Sequence, residues 1–232
     1  MIAAITGATK GIGKAIALAF AKEGFDIALC ARSADDLAKC QTELTERYSI
    51  RVLTQSTDMA KPDEVKAFAH RITTEWGAPD VVVNNAGVFF PGSVQTEEEG
   101  TLEQMINTNL YSAYHFTRAL LPGITERGSG HIFNMCSIAS QIAYPNGGSY
   151  SISKFALLGF SKVLREELKE QGIRVTAILP GATWSASWEG IDLPESRLMK
   201  ADDVARVVWA AYQLSDQAVL EEVVLRPQLG DL

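Results

Sequence analysis

Ile2-Ala3-Ala4-Ile5-Thr6-Gly7-Ala8-Thr9-Lys10-Gly11-Ile12-Gly13 is a short apolar run followed by a glycine-rich turn, and a helical pattern begins around Lys14. The apolar run reads as a buried strand. Glycines let the backbone approach a ligand closely, and the N–H groups and dipole at a helix start favour negative charge. Strand, glycine turn and helix start in that order make a cradle for a phosphate. A tight strand-to-helix turn with no ligand uses the same residues, so the stretch has to be read with the rest of the chain.

Outward from it, apolar β-type runs alternate with segments of helical period. Strands are expected near residues 2–6, 26–30, 51–56, 80–84, 130–135, 173–179 and 219–224. Helices are expected near 11–23, 34–47, 61–75, 98–126 with a break near Asn107 to Asn109, 149–171 and 201–213. Pro62 suits the first turn of the third helix, where its missing N–H costs nothing, and Gly172 suits a left-handed cap. Such alternation builds a parallel sheet from βαβ units. The 232 residues match one large core, so a single domain over 1–232 is expected. Right-handed crossovers then give an α/β, doubly wound, seven-stranded sheet of Rossmann type in the order 3-2-1-4-5-6-7, with helices on both faces.

Composition excludes several roles. A hydrophobic share of 47% is enough to bury a sheet on both faces. The net charge of −7 argues against a broad grip on nucleic acid, while leaving room for a local basic pocket. No apolar run approaches the roughly 20 residues that span a bilayer, and no basic leader precedes the first strand. Cys30, Cys40 and Cys136 form no C-x-x-C pair, so a cytoplasmic setting is expected and a disulfide framework is not. His70, His115 and His131 are scattered without ligand spacing, so no metal is expected, and Ser137 has no triad with them.

The glycine spacing is G-x-x-x-G-x-G, which differs from the common G-x-G-x-x-G dinucleotide fingerprint. With it come Asn84-Asn85-Ala86-Gly87, Asn109, Ser137, Tyr150-x-x-x-Lys154 and Pro180-Gly181, in an order and spacing that resemble the short-chain dehydrogenase/reductase family from residue 6 to residue 181. The resemblance implies that Gly7, Thr9, Lys10, Gly11, Ile12 and Gly13 hold a dinucleotide. It implies that Asp58 and Met59 meet its adenine, although Asp58 also suits a turn ahead of Pro62. Asn85, Ala86 and Gly87 would lie along the cofactor, and Pro180, Gly181 and Thr183 near its nicotinamide, with Tyr150 and Lys154 close by. It implies a catalytic group of Asn109, Ser137, Tyr150 and Lys154: Ser137 holds a substrate oxygen, Tyr150 carries the proton, and Asn109 helps bind a water that links the lysine to solvent. Ser140 is the nearest rival to Ser137.

The second strand ends Leu29-Cys30-Ala31-Arg32-Ser33, with no carboxylate at Ala31 to hold a ribose hydroxyl. Arg32 can fork onto a 2′-phosphate and Lys10 lies in the glycine loop, which favours NADPH over NADH. Either cation also reads as a solvated surface group. Asp35 and Asp36 come late enough to cap or begin the next helix. Tyr150 and Lys154, four apart on one helix, share a face, and a neighbouring ammonium is expected to lower the tyrosine pKa from its ordinary value of about 10.

Residues 182–200, with Trp184, Trp188, Pro194 and Met199, exceed an ordinary connection and read as a substrate lid at the carboxyl edge of the sheet. Trp184 and Trp188 suit either substrate contact or packing on the body of the domain. The closing Glu221-Glu222-Val223-Val224-Leu225-Arg226-Pro227-Gln228 lacks the Asp-Gly-Gly of many 3-oxoacyl thioester reductases and is similar to the ending of sepiapterin-reductase-like members. The resemblance implies reduction of a small-molecule carbonyl, with a pterin side-chain ketone first and 3-oxoacyl thioesters and small diketones behind it. An NADPH-binding sensor without turnover is the other class, and such proteins generally lose the tyrosine or lysine kept here. Family members pair through the helices near 98–126 and 149–171, so a homodimer or homotetramer is expected.

Overall fold

The computed structural model describes residues 1–184 and 194–230, and its sheet is set by how apolar residues alternate along the strands. In β1 (Ile2–Thr6) every residue is buried; Ala3 and Ile5 join one hydrophobic cluster and Ala4 another. Successive strand residues point to opposite faces, so a strand apolar throughout is covered on both sides. Six further strands follow: β2 (Asp26–Ala31), β3 (Val52–Ser56), β4 (Val81–Asn84), β5 (Gly130–Met135), β6 (Ile173–Pro180) and β7 (Glu222–Leu225). All pair in parallel in the order β3-β2-β1-β4-β5-β6-β7, as the sequence predicts.

The helices are α1 (Gly11–Lys22), α2 (Ala34–Arg47), α3 (Pro62–Trp76), α4 (Thr101–Ile106), α5 (Ser112–Arg127), α6 (Gly148–Leu168) and α7 (Ala201–Tyr212). On one face Ile16 and Phe20 of α1, Leu37 and Leu44 of α2, and Val204 and Val208 of α7 pack on Ile5, Leu29, Val83 and Phe133. On the other, Phe68 and Ile72 of α3, Phe116 and Leu120 of α5, and Leu164 and Leu168 of α6 pack on Ala4, Val82 and Ile132. No helix among the described residues is long and apolar enough to cross a membrane.

Two boundaries differ from the expectation. The predicted 98–126 helix begins at Thr101 because Gly100 has φ +87° and cannot continue a right-handed helix; its break is a π turn over Asn107–Tyr111. The last strand begins at Glu222 rather than 219, since Ala177 N–H meets the Glu221 carbonyl only there. Ion pairs stitch β7 and the residue before it to α6: Lys162 with Glu222 at 2.8 Å, and Arg165 with Glu221.

A buried polar chain crosses the middle of the molecule. The Asn84 amide donates to Thr117 Oγ1 (2.9 Å) and Asn134 Oδ1 (2.7 Å), and the Asn134 amide donates to Ser161 Oγ (2.8 Å). It ties β4 and β5 to α5 and α6, directly beneath the strand ends where the site forms.

Candidate active site

The predicted site residues lie where the strands end at their carboxyl termini, the edge at which open parallel sheets bind ligands. After β1, Gly7 has φ +64° and Gly11 φ +54°, conformations that side chains rarely adopt. A Cβ on Gly7 would lie 3.0 Å from Ala86 Cα, so Gly7 also permits the close approach of the loop after β4. Asn85, predicted to lie along a cofactor, braces that approach: its amide donates to the Thr6 and Gly7 carbonyls at 2.9 Å each. Thr6 Oγ1 in turn accepts from Asn85 N–H and Ala86 N–H, both at 3.0 Å. The start of α1 has no side-chain cap and no acidic residue in its first turn. A glycine cradle on an uncapped, acid-free helix start fits the pyrophosphate of a dinucleotide.

Among the residues predicted to meet the adenosine half, Arg32 follows β2 with its side chain exposed, and Lys10 pairs with Asp36 Oδ2 at 3.3 Å. Ser33, not either aspartate, caps α2 by accepting from Asp36 N–H at 3.1 Å; Asp35 and Asp36 form its first turn. Asp58 takes the turn role, accepting from Ala60 N–H at 3.0 Å, and Met59 is buried with its sulfur 3.6 Å from Cys30 Sγ.

The four predicted catalytic residues meet behind β4 and β5. Lys154 is 5% exposed, donates to the Met135 carbonyl at 2.8 Å, and sits 5.8 Å from the centre of the Tyr150 ring. Burial pushes its pKa down to about 8, with Cys136 opposing weakly. Burial raises the pKa of Tyr150, and a hydrogen bond with the Ser137 hydroxyl pulls it back. The expected lowering by the lysine is therefore corrected: desolvation of the phenol is the largest cause, and the lowering that opposes it comes from the Ser137 hydroxyl rather than from Lys154. Ser137 Oγ also accepts from Ala139 N–H at 3.1 Å, while Ser140 Oγ accepts from Ser137 N–H at 3.1 Å. Ser140 thus braces Ser137.

Asn109 projects from the π turn and is 1% exposed. Its Oδ1 accepts from Val88 N–H at 2.7 Å, and its amide donates to the Val88 carbonyl at 3.0 Å and to Ser153 Oγ at 2.9 Å. Ser153 Oγ in turn donates to the Tyr150 carbonyl at 2.7 Å.

Pro180 ends β6 and is buried, and after it Thr183 Oγ1 donates to the Gly181 carbonyl at 3.0 Å. Thr183 and Met199 form a parallel bridge, with Trp184 N–H on the Met199 carbonyl at 2.8 Å, so the predicted lid is clipped at its base. Trp184 is half-buried; Trp188 lies outside the described residues.

A profile of the short chain dehydrogenases matches residues 1–195. The chain belongs to that family. Among its relatives is a sepiapterin reductase of Chlorobaculum tepidum, 33% identical over 236 residues, covering 98% of this chain and 96% of the relative. A 3-oxoacyl-acyl-carrier-protein reductase of Staphylococcus epidermidis is 29% identical, covering 93% and 92%. The crystal structure of an alcohol dehydrogenase from Thermococcus sibiricus complexed with 5-hydroxy-NADP superposes with a TM-score of 0.91 at 30% identity, covering 100% of this chain and 98% of that one.

Three residues of this short-chain dehydrogenase that bear on the site are not evident from the sequence motifs. Ser153 links Asn109 to Tyr150, and its position three after Tyr150 is the one signal that points to it. Glu97 accepts from Ser149 N–H at 3.3 Å and from the Ser149 hydroxyl, holding the first turn of α6. Within the run Glu97-Glu98-Glu99 it reads as a solvated charge, and nothing local marks it. Phe89 meets the Tyr150 ring edge-on, centroids 4.8 Å apart.

Proposed function

We propose that this short-chain dehydrogenase reduces the carbonyl group of a small molecule to an alcohol with NADPH, Tyr150 being the proton donor. The observation that carries the reading is the convergence of Ser137, Tyr150 and Lys154 beside a glycine cradle shaped for a dinucleotide. NADPH, when bound, supplies the hydride that reaches the carbonyl carbon. Ser137 holds the carbonyl oxygen, and Tyr150 gives its proton to the alkoxide forming there. The raised pKa of Tyr150 keeps it a phenol near neutrality, the form that can donate. Lys154, with a pKa of about 8, stays mostly protonated and favours the phenolate left behind. Asn109 holds both backbone groups of Val88 and, through the Ser153 hydroxyl, the Tyr150 carbonyl.

Arg32, Lys10 and the missing carboxylate at Ala31 favour the phosphorylated cofactor, as does the NADP-type ligand of the Thermococcus structure. The Chlorobaculum relative supports a pterin side-chain ketone as first substrate, and the Staphylococcus relative keeps 3-oxoacyl thioesters second. Exposed Tyr111, Ile152, Phe155 and Val163 near the π turn and on α6 suit a homodimer or homotetramer, and three free buried cysteines suit a reducing cytoplasm.

The test follows NADPH and NADH absorbance with sepiapterin, an acetoacetyl thioester and diacetyl, comparing wild type with Tyr150→Phe. NADPH consumption abolished in the variant is expected. Tight NADPH binding without turnover of any carbonyl would favour a sensor, and activity surviving in Tyr150→Phe would remove the tyrosine from its role.

A further inference from the structure

We infer that Phe89 is a specificity-determining residue: with Tyr150 it forms an apolar wall on which a flat group flanking the substrate carbonyl packs. The inference rests on Tyr150 being the residue that meets the carbonyl oxygen. A substrate oxygen within reach of the phenol brings its nearest substituent alongside whatever lines that phenol, and the Phe89 ring does so at 4.8 Å with an interplanar angle of 74°.

Phe89 is nevertheless 42% exposed. A phenyl ring left half in water forgoes much of the stabilisation that burial gives a large apolar side chain. A ligand with an aromatic or other flat apolar face would recover it, with the added preference of aromatic pairs for edge or offset contact.

The backbone on both sides of the wall is held in place. Asn109 holds both backbone groups of Val88, the residue before Phe89, and reaches Ser153, whose hydroxyl holds the Tyr150 carbonyl. The path from Phe89 through Val88, Asn109 and Ser153 to Tyr150 closes on the ring contact itself. Further along the same segment, Gly92 N–H donates to the Asn146 carbonyl at 3.1 Å and Glu97 holds Ser149. The backbone that carries each ring is therefore held by hydrogen bonds, and a face whose backbone is preorganised loses less on binding.

Diacetyl and acetylbenzoyl, which differ only by a methyl replaced by a phenyl, test this in two ways. Binding is measured by calorimetry on the NADP+-saturated protein, where neither diketone can be reduced. Acetylbenzoyl is expected to bind wild type more tightly than diacetyl, and Phe89→Ala to weaken it about ten-fold while changing diacetyl less than about two-fold. Phe89→Leu should fall between. In steady-state reduction the same variant should raise the acetylbenzoyl KM about ten-fold and the diacetyl KM less than about two-fold. Equal weakening of both diketones, an equal rise in both KM values, or wild-type binding without preference for the phenyl compound would each overturn the inference. A ten-fold binding change in a protein that turns over neither these diketones nor any other carbonyl would uphold the wall and refute the reductase reading instead.

Discussion

Lys154 carries a cost that its proposed role explains. Its ammonium is almost fully buried, and a pKa of about 8, below the free value of 10.5, means the unfolded chain holds that proton more readily than the fold does. The residue therefore lowers stability below pH 8, by about 3 kcal/mol, and the penalty fades as pH climbs from about 8 to about 10.5. Lys154→Met loses one hydrogen bond worth about 1 kcal/mol. The variant should be about 2 kcal/mol more stable than wild type in urea titrations at pH 7, with the gap closing toward pH 10, and should lose about a hundred-fold or more in turnover. Asp36 offers a second residue-scale test. It occupies Lys10, a predicted phosphate partner, so Asp36→Asn should tighten NADPH binding about two- to five-fold in fluorescence titrations at low salt, with the gain disappearing as salt rises. Identity and spacing make Tyr150, Lys154, Ser137 and Asn109 legible in the sequence. Their electrostatics are not, because the pKa of Tyr150 depends on how deeply the phenol is desolvated, and spacing along a helix says nothing of depth.

Element by element, legibility follows local chemistry. Pro62 begins α3 and Gly172 closes the turn after α6 with φ +73°, both as read from residue type. Helix α6 is harder, because its start at Gly147 and Gly148 has no side-chain cap of its own. Its first turn is held by Glu97, 52 residues away in sequence, which no local pattern reveals. A carboxylate at a helix start both accepts from its free N–H groups and opposes its dipole. Glu97→Ala should cost about 1–2 kcal/mol in denaturant unfolding. It should also lower kcat several-fold at unchanged NADPH affinity, since the displaced turn carries Tyr150 and not the glycine cradle. Glu97→Gln, which keeps the acceptor, should restore most of the kcat.

For the whole molecule, the alternation of apolar runs is enough to order seven strands, since parallel βαβ units leave few topologies open. What it does not convey is the polar content of the interior. His131 on β5 is 1% exposed, stacked on Phe133 at 3.9 Å and paired with Thr176 Oγ1 at 2.7 Å. Burial pushes its pKa down to about 2, with Arg174 adding to the effect. The unfolded chain binds a proton there below about pH 6.5 and the fold does not, so stability is lost as pH falls from that value, by about 1.4 kcal/mol per unit from this residue. Urea midpoints measured between pH 7 and 5 should decline in wild type and decline less in His131→Gln. The Thr183 and Met199 bridge has a consequence of another kind. Pairing at Thr183 and Met199 fixes where the chain leaves the sheet edge and where it returns toward α7, so a change in the number of residues between them adds little closure entropy. Lengthening the chain between these two residues is therefore expected to leave the unfolding midpoint nearly unchanged, which urea titration of insertion variants checks.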